Sequence, residues 1–194
     1  MMAKEIKNIL MVGVGGQGTI LASKVLSNGL VNAGYDVKMS EVHGMAQRGG
    51  SVTTQVRYGE KVYSPIIGKG QADIIVAFER MEALRMIQYL KKGGVLVVND
   101  HVIPPMTVLT GAEEYPEGII EELSSKAKTI VFKAAEVARE IGNPKTQNIV
   151  LLGALIKAIG LEDLDWDTAI EAEVKPQFVA INKKALQKGM ELAS

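Results

Sequence analysis

A chain of 194 residues is long enough for one domain with a full core. With 47% hydrophobic and 23% charged residues it is ordinary for a globular protein, and 22 Lys plus Arg against 22 Asp plus Glu leave no net charge to draw nucleic acid or a membrane surface. Cysteine is absent, which excludes disulfides, thiolate zinc sites, a cysteine nucleophile and any iron–sulfur cluster ligated by this chain.

Met1-Met2-Ala3-Lys4-Glu5-Ile6-Lys7 lacks the apolar core of a signal peptide, and no run of about 18 apolar residues follows, so a cytoplasmic chain is expected. Ile6 to Val12 is a short apolar run ended by Gly13, the pattern of a buried strand. Thr19 to Ala33 carries Ile20, Leu21, Val25, Leu26, Leu30 and Val31 at helical spacing and stops at Gly34, a natural left-handed cap. Tyr35 to Val42 reads as a second strand, completing a right-handed βαβ unit. Ser51 to Arg57 alternates Val52, Thr54 and Val56 with polar neighbours, as a half-exposed strand does. Tyr58-Gly59-Glu60-Lys61 then reads as a hairpin turn returning through Val62-Tyr63.

A second α/β round follows. Asp73 to Phe78 is a strand, Glu79 to Lys91 an amphipathic helix on Met81, Leu84, Ile87 and Leu90, Lys92-Gly93-Gly94 a turn, and Val95 to Val98 a fully apolar strand. Pro104-Pro105 and Tyr115-Pro116-Glu117-Gly118 punctuate a looser stretch. Thr129 to Phe132 is the expected last strand, and a helix from Ala134 to Ile141 is broken by Asn143-Pro144. Thr146 to Ile159, a short helix after Asp167, and Pro176 to Leu192 make a helical C-terminal third. Ile149 to Ile156 is apolar on nearly every helical face, so it is buried in a core or covered by another subunit. The pattern predicts α/β architecture: a single doubly wound, mostly parallel, Rossmann-like sheet over residues 1–194, with no internal repeat or linker.

Gly13, Gly15 and Gly18 form G-x-G-x-x-G between a strand and a helix. Gly13 permits the tight turn, Gly15 lets a phosphate approach the backbone, and Gly18 lets helix and strand come close. Amides at a helix N-terminus welcome phosphate or carboxylate. Glu41 sits about where a dinucleotide site places its ribose-binding acid, so a free-standing NAD-dependent oxidoreductase is one reading, and a tight structural turn is another. Gly16 and Gln17 loosen the loop beyond what helix docking needs. A second glycine-rich segment follows, Ser40-Glu41-Val42-His43-Gly44-Met45-Ala46-Gln47-Arg48-Gly49-Gly50-Ser51-Val52, which a plain dinucleotide domain does not require. Both segments are expected to leave strand carboxyl ends and to converge on one crevice. There Arg48 offers a planar fork for phosphate or carboxylate, Gly49 and Gly50 allow close approach, and Gln47 and Ser51 add hydrogen-bonding groups. His43 reads as a hydrogen-bonding scaffold, and Asp100 either caps a turn or lines the crevice with Asn99 and His101. No H-E-x-x-H, G-x-S-x-G, P-loop lysine or metal constellation occurs, so no catalytic residue is assigned.

With both loops in place, the chain resembles the gamma domain of 2-oxoacid:ferredoxin oxidoreductases. Its G-M-A-Q-R-G-G-S-V form is nearest to the beta subunit of indolepyruvate ferredoxin oxidoreductases. Ser64-Pro65, Asp73, Gly93-Gly94, Asn148 and Leu152-Gly153-Ala154-Leu155 extend the likeness over most of the chain. The resemblance implies a non-autonomous subunit, inactive alone, of an enzyme that oxidatively decarboxylates a 2-oxoacid such as an arylpyruvate to an acyl-CoA. Thiamine diphosphate, Mg and 4Fe-4S clusters would be held by a large alpha subunit, with ferredoxin taking the electrons and coenzyme A (CoA) the acyl group. It also implies that Gly13, Gly15, Gly16, Gln17 and Gly18 face the shared site together with Gln47, Arg48, Gly49, Gly50 and Ser51, Arg48 touching a phosphate or substrate carboxylate. A binding or regulatory module without part in chemistry is the remaining reading.

Overall fold

The computed structural model describes residues 5–44 and 49–193. Strands β1 (Lys7–Val14), β2 (Asp36–His43), β3 (Ser51–Gly59), β4 (Ala72–Ala77), β5 (Leu90–Asn99) and β6 (Lys128–Phe132) form one sheet among these residues, ordered β2-β3-β1-β4-β5-β6. β1, β4, β5 and β6 are parallel neighbours, whereas β3 is antiparallel to both β1 and β2. The mostly parallel, doubly wound sheet is therefore as the sequence predicts, with one departure. β3 slots between the two strands of the expected βαβ unit, pairing Ser51 with Val14 on one side and Val52 with His43 on the other. Alternation fixes which face of a strand is buried but not its neighbours, so local sequence is silent on this insertion.

The expected return at Tyr58 to Tyr63 does not form: β3 runs through Tyr58 to Gly59, and no strand follows before β4. Side-chain hooks replace a ladder there. Val62 N–H donates to Asp36 Oδ2 (2.8 Å), and Arg57 Nη1 donates to Ser64 O (2.9 Å). Lys92-Gly93-Gly94 likewise lies within β5 rather than before it. Gly93 has φ +81°, and the β4–β5 register shifts between Ala72 and Ile74, so the glycines make a bulge instead of a turn.

The helices are α1 (Thr19–Asn32), α2 (Arg80–Met86), α3 (Met106–Leu109), α4 (Ile119–Lys126), α5 (Ala134–Ile141), α6 (Gln147–Ala158), α7 (Trp166–Glu173) and α8 (Pro176–Leu192). Successive strand residues point to opposite faces. Ile9, Met11, Val56, Ile74 and Val76 meet the α1, α5, α6, α7 and α8 side, while Leu10, Val12, Ile75, Ala77, Leu96 and Val98 meet Ala83 of α2 and Ile119 and Leu123 of α4. Residues Ile149 to Ile156 of α6 are all buried within this chain, which settles their alternatives in favour of the core. No helix among the described residues is long and apolar enough to cross a membrane.

Candidate functional site at the carboxyl edge of the sheet

β1 ends in Val14, and the chain turns through Gly15, Gly16 and Gln17 into α1. Gly13 must be glycine for contact reasons: a Cβ there would lie 2.9 Å from Phe78 Cβ and from Gln17 Oε1. Gly16 and Gly18 hold φ of +102° and +80°, values that L side chains rarely adopt. Gln17 is nearly buried, and its carboxamide works inside the protein. Oε1 accepts from Val14 N–H and Nε2 donates to Phe78 O, each at 2.7 Å. Asn148 Nδ2 donates to Gly18 O (3.1 Å), tying α6 to the loop, while Asn148 Oδ1 finds no donor among the described residues. Gly18 caps α1 without a side-chain hydrogen bond, and no acid occupies the helix's first turn. First-turn amides have no intrahelical acceptors and carry partial positive charge at the helix end.

The second glycine segment joins β2 to β3. Gln47 and Arg48 lie outside the described residues. Gly49 has φ +80°, and Gly50 O accepts a hydrogen bond from Gly15 N–H at 2.8 Å, so the two bends touch. Beside that contact is a crevice of about 440 Å³ lined by Gly15, Gly16, Gly18, Thr19, Ile20, Glu41, His43 and Val52. Its walls are largely apolar side chain and exposed peptide backbone, with Glu41 as the one carboxylate among the described lining residues. His43 is exposed, and its Nδ1 lies 3.2 Å from Gly44 O. Ser51 Oγ does not point to an open partner; it donates to Glu82 Oε2 at 2.6 Å.

Sequence reasoning missed Glu79 and Glu82, which flank the start of α2. Charged residues default to the surface, yet Glu79 is 1% and Glu82 2% exposed. Glu79 caps α2 by accepting from Glu82 N–H (3.0 Å) and also accepts from Tyr115 Oη (2.7 Å) and Ile103 N–H (3.3 Å). Burial, with the adjoining Glu79 carboxylate, holds the Tyr115 phenol well above its ordinary pKa, so it remains a donor. Glu82 Oε1 accepts from Arg85 Nη1 at 2.6 Å. The sequence pattern starts a helix at Glu79, but the spacing Glu79-Arg80-Met81-Glu82 carries no sign that the two carboxylates are buried, because their partners Ser51, Ile103 and Tyr115 come from distant parts of the chain. Asn99 braces the next strand end, donating to Phe78 O (3.0 Å) and accepting from Ala134 N–H (2.9 Å). Asp100 forms an ion pair with Arg80 and is not among the residues that line the glycine crevice.

Residues 8–192 match the pyruvate ferredoxin/flavodoxin oxidoreductase family, and the chain belongs to it. It is 42% identical to indolepyruvate oxidoreductase subunit IorB of Thermococcus kodakarensis, over 96% of this chain and 95% of that one. It is 30% identical to the common subunit gamma of pyruvate/ketoisovalerate oxidoreductases of Pyrococcus abyssi, over 92% of each. The crystal structure of a keto/oxoacid ferredoxin oxidoreductase gamma subunit from Geobacter sulfurreducens superimposes with a TM-score of 0.70 at 26% identity, covering 96% of this chain and 98% of that one. The relatives are subunits of indolepyruvate and other 2-oxoacid oxidoreductases, and a free-standing NAD-dependent enzyme finds no support among them.

Proposed function

We propose that this chain is the small subunit of a thiamine-diphosphate-dependent 2-oxoacid:ferredoxin oxidoreductase acting on indolepyruvate or a similar arylpyruvate. Its glycine crevice completes the entrance to a reaction centre on a large partner subunit, where it contacts a phosphate of CoA. The observation that carries this reading is the hydrogen bond from Gly15 N–H to Gly50 O, which joins two glycine bends beside one crevice. The N-terminus of α1, which has no side-chain cap, suits an anion, because its amides are fixed in place before any ligand arrives. Arg48, which directly precedes Gly49 in the sequence, would supply a planar charged fork for such an anion.

The electron-carrying groups do not fit this chain. Without cysteine it cannot ligate 4Fe-4S clusters, and the described residues contain no trio of His, Asp or Glu able to hold a metal ion. The clusters are therefore assigned to the large subunit; Mg and thiamine diphosphate are placed there by the family resemblance, and thiamine diphosphate would supply the carbanion chemistry of decarboxylation. The Pyrococcus abyssi relative is common to a pyruvate and a ketoisovalerate enzyme. A small subunit shared by acids with different side chains does not read the side chain. That supports giving the crevice to a group the reactions have in common, such as CoA.

Co-expression with the large subunit tests the assignment. A stable complex that reduces an artificial electron acceptor only with arylpyruvate and CoA is expected; no complex, or turnover by the large subunit alone at the same rate, overturns it. Calorimetry of the isolated chain with NADH is expected to show no micromolar binding.

A further inference from the structure

The buried carboxylate of Glu82 is not needed to cap its own helix, because Glu79 already does so. A charge at 2% exposure costs stability unless it is paired, and an apolar residue of similar volume is often the more stable choice there. What Glu82 does contribute is directional. Its Oε2 accepts the Ser51 hydroxyl hydrogen at 2.6 Å, and its Oε1 is held by Arg85 at 2.6 Å, so the carboxylate is fixed from both sides. Ser51 opens β3 directly after Gly49 and Gly50, and stands opposite Val14, the last residue of β1. Just past the end of β1 and just before the start of β3, Gly50 O receives the Gly15 N–H. A displacement of Ser51 therefore moves both glycine bends together. Glycine-rich backbone has little stiffness of its own, and a loop without Cβ atoms needs an outside anchor to hold one geometry.

We infer that Glu82 is a positioning residue which, through Ser51, sets the second glycine bend against the first and so pre-shapes the crevice for its anionic ligand. The inference rests on the crevice reading above. Ser51 then acts by what it is tied to, rather than by touching the ligand.

The test uses the co-expressed complex carrying Ser51→Ala, Ser51→Thr, Glu82→Ala or Ser51→Ala with Glu82→Ala, with CoA varied at saturating arylpyruvate. Ser51→Ala and Glu82→Ala are each expected to raise the KM for CoA about tenfold while kcat stays within about twofold, as loss of a binding geometry does. Ser51→Thr, which keeps the hydroxyl, is expected to restore the KM, and the double variant to be no worse than the worse single one. Hydrogen exchange on the isolated full chain gives a second readout: the Gly15 amide should exchange faster in Ser51→Ala. If Arg48→Ala raises the KM but Ser51→Ala does not, the clamp is overturned and the crevice reading stands. If no variant, Arg48→Ala included, moves the KM, the crevice reading falls. Unchanged exchange at Gly15 in Ser51→Ala overturns the clamp in every case.

Discussion

At the scale of single residues, Gly18 shows how closely the first bend is specified. Its φ of +80° disfavours any L side chain, and a Cβ would stand 2.7 Å from Asn148 Nδ2. Gly18→Ala is therefore expected to cost about 1–2 kcal/mol for the backbone alone, plus displacement of Asn148. Thermal unfolding should fall by about 2–4 °C for each kcal/mol in a chain of this size. Gly16 shares the strained φ but has open space about it, so Gly16→Ala should cost less; equal losses would mean that Asn148 yields freely. Asp36 gives a pH-dependent case. The hydrogen bond from Lys38, then that from Val62 N–H, hold its carboxyl below the usual carboxylate range. A lowered folded value means stability present above the unfolded pKa of about 3.9 and lost as pH falls through the folded value. Protection of the Val62 amide should thus persist at neutral pH and weaken only below about pH 4; weakening near pH 6 would implicate another group.

At the scale of elements, the crossing of α6 and α8 decides whether the C-terminal third folds. A Cβ on Gly153 would fall 2.1 Å from Leu186 O, and one on Gly189 1.9 Å from Val150 O, both backbone atoms that cannot swing away. Gly153→Ala and Gly189→Ala should each destabilise by about 3 kcal/mol or more, beyond the usual range for overpacking side chains. Denaturant midpoints close to the wild type would contradict so tight a crossing. Helix limits were legible where periodicity and breakers are local: α5 and α8 begin and end where the pattern places them. Insertion of β3 was not, because a strand's partners are chosen by the whole sheet. α4 was hidden by its brevity between Pro116-Glu117-Gly118 and Lys128. The glycine bends were legible because their steric demands are local. The inward turn of Gln17 and the burial of Glu79 and Glu82 were not, since each depends on hydrogen-bond partners from distant parts of the chain.

At the scale of the molecule, the carboxyl edge of the sheet exposes apolar side chains, as does the stretch after β3, where Tyr63 is 88% and Ile66 57% exposed. Ile20, which lines the crevice, is 49% exposed, and Met106 (70%) and Leu109 (64%) stand out on α3 after β5. Such apolar side chains suit a protein partner better than water. Met106→Asp with Leu109→Asp should weaken capture of the large subunit while leaving the chain's own unfolding transition in place. In the proposed function the two touching bends meet a ligand inside the assembled enzyme. Hydrogen exchange on the intact complex, with and without CoA, measures it directly. The account predicts slowed exchange at Gly15 to Ile20 and at Gly49 to Ser51, with none at Lys91 to Gly94 on the opposite edge. Protection absent from both bends, or confined to that opposite edge, would contradict it.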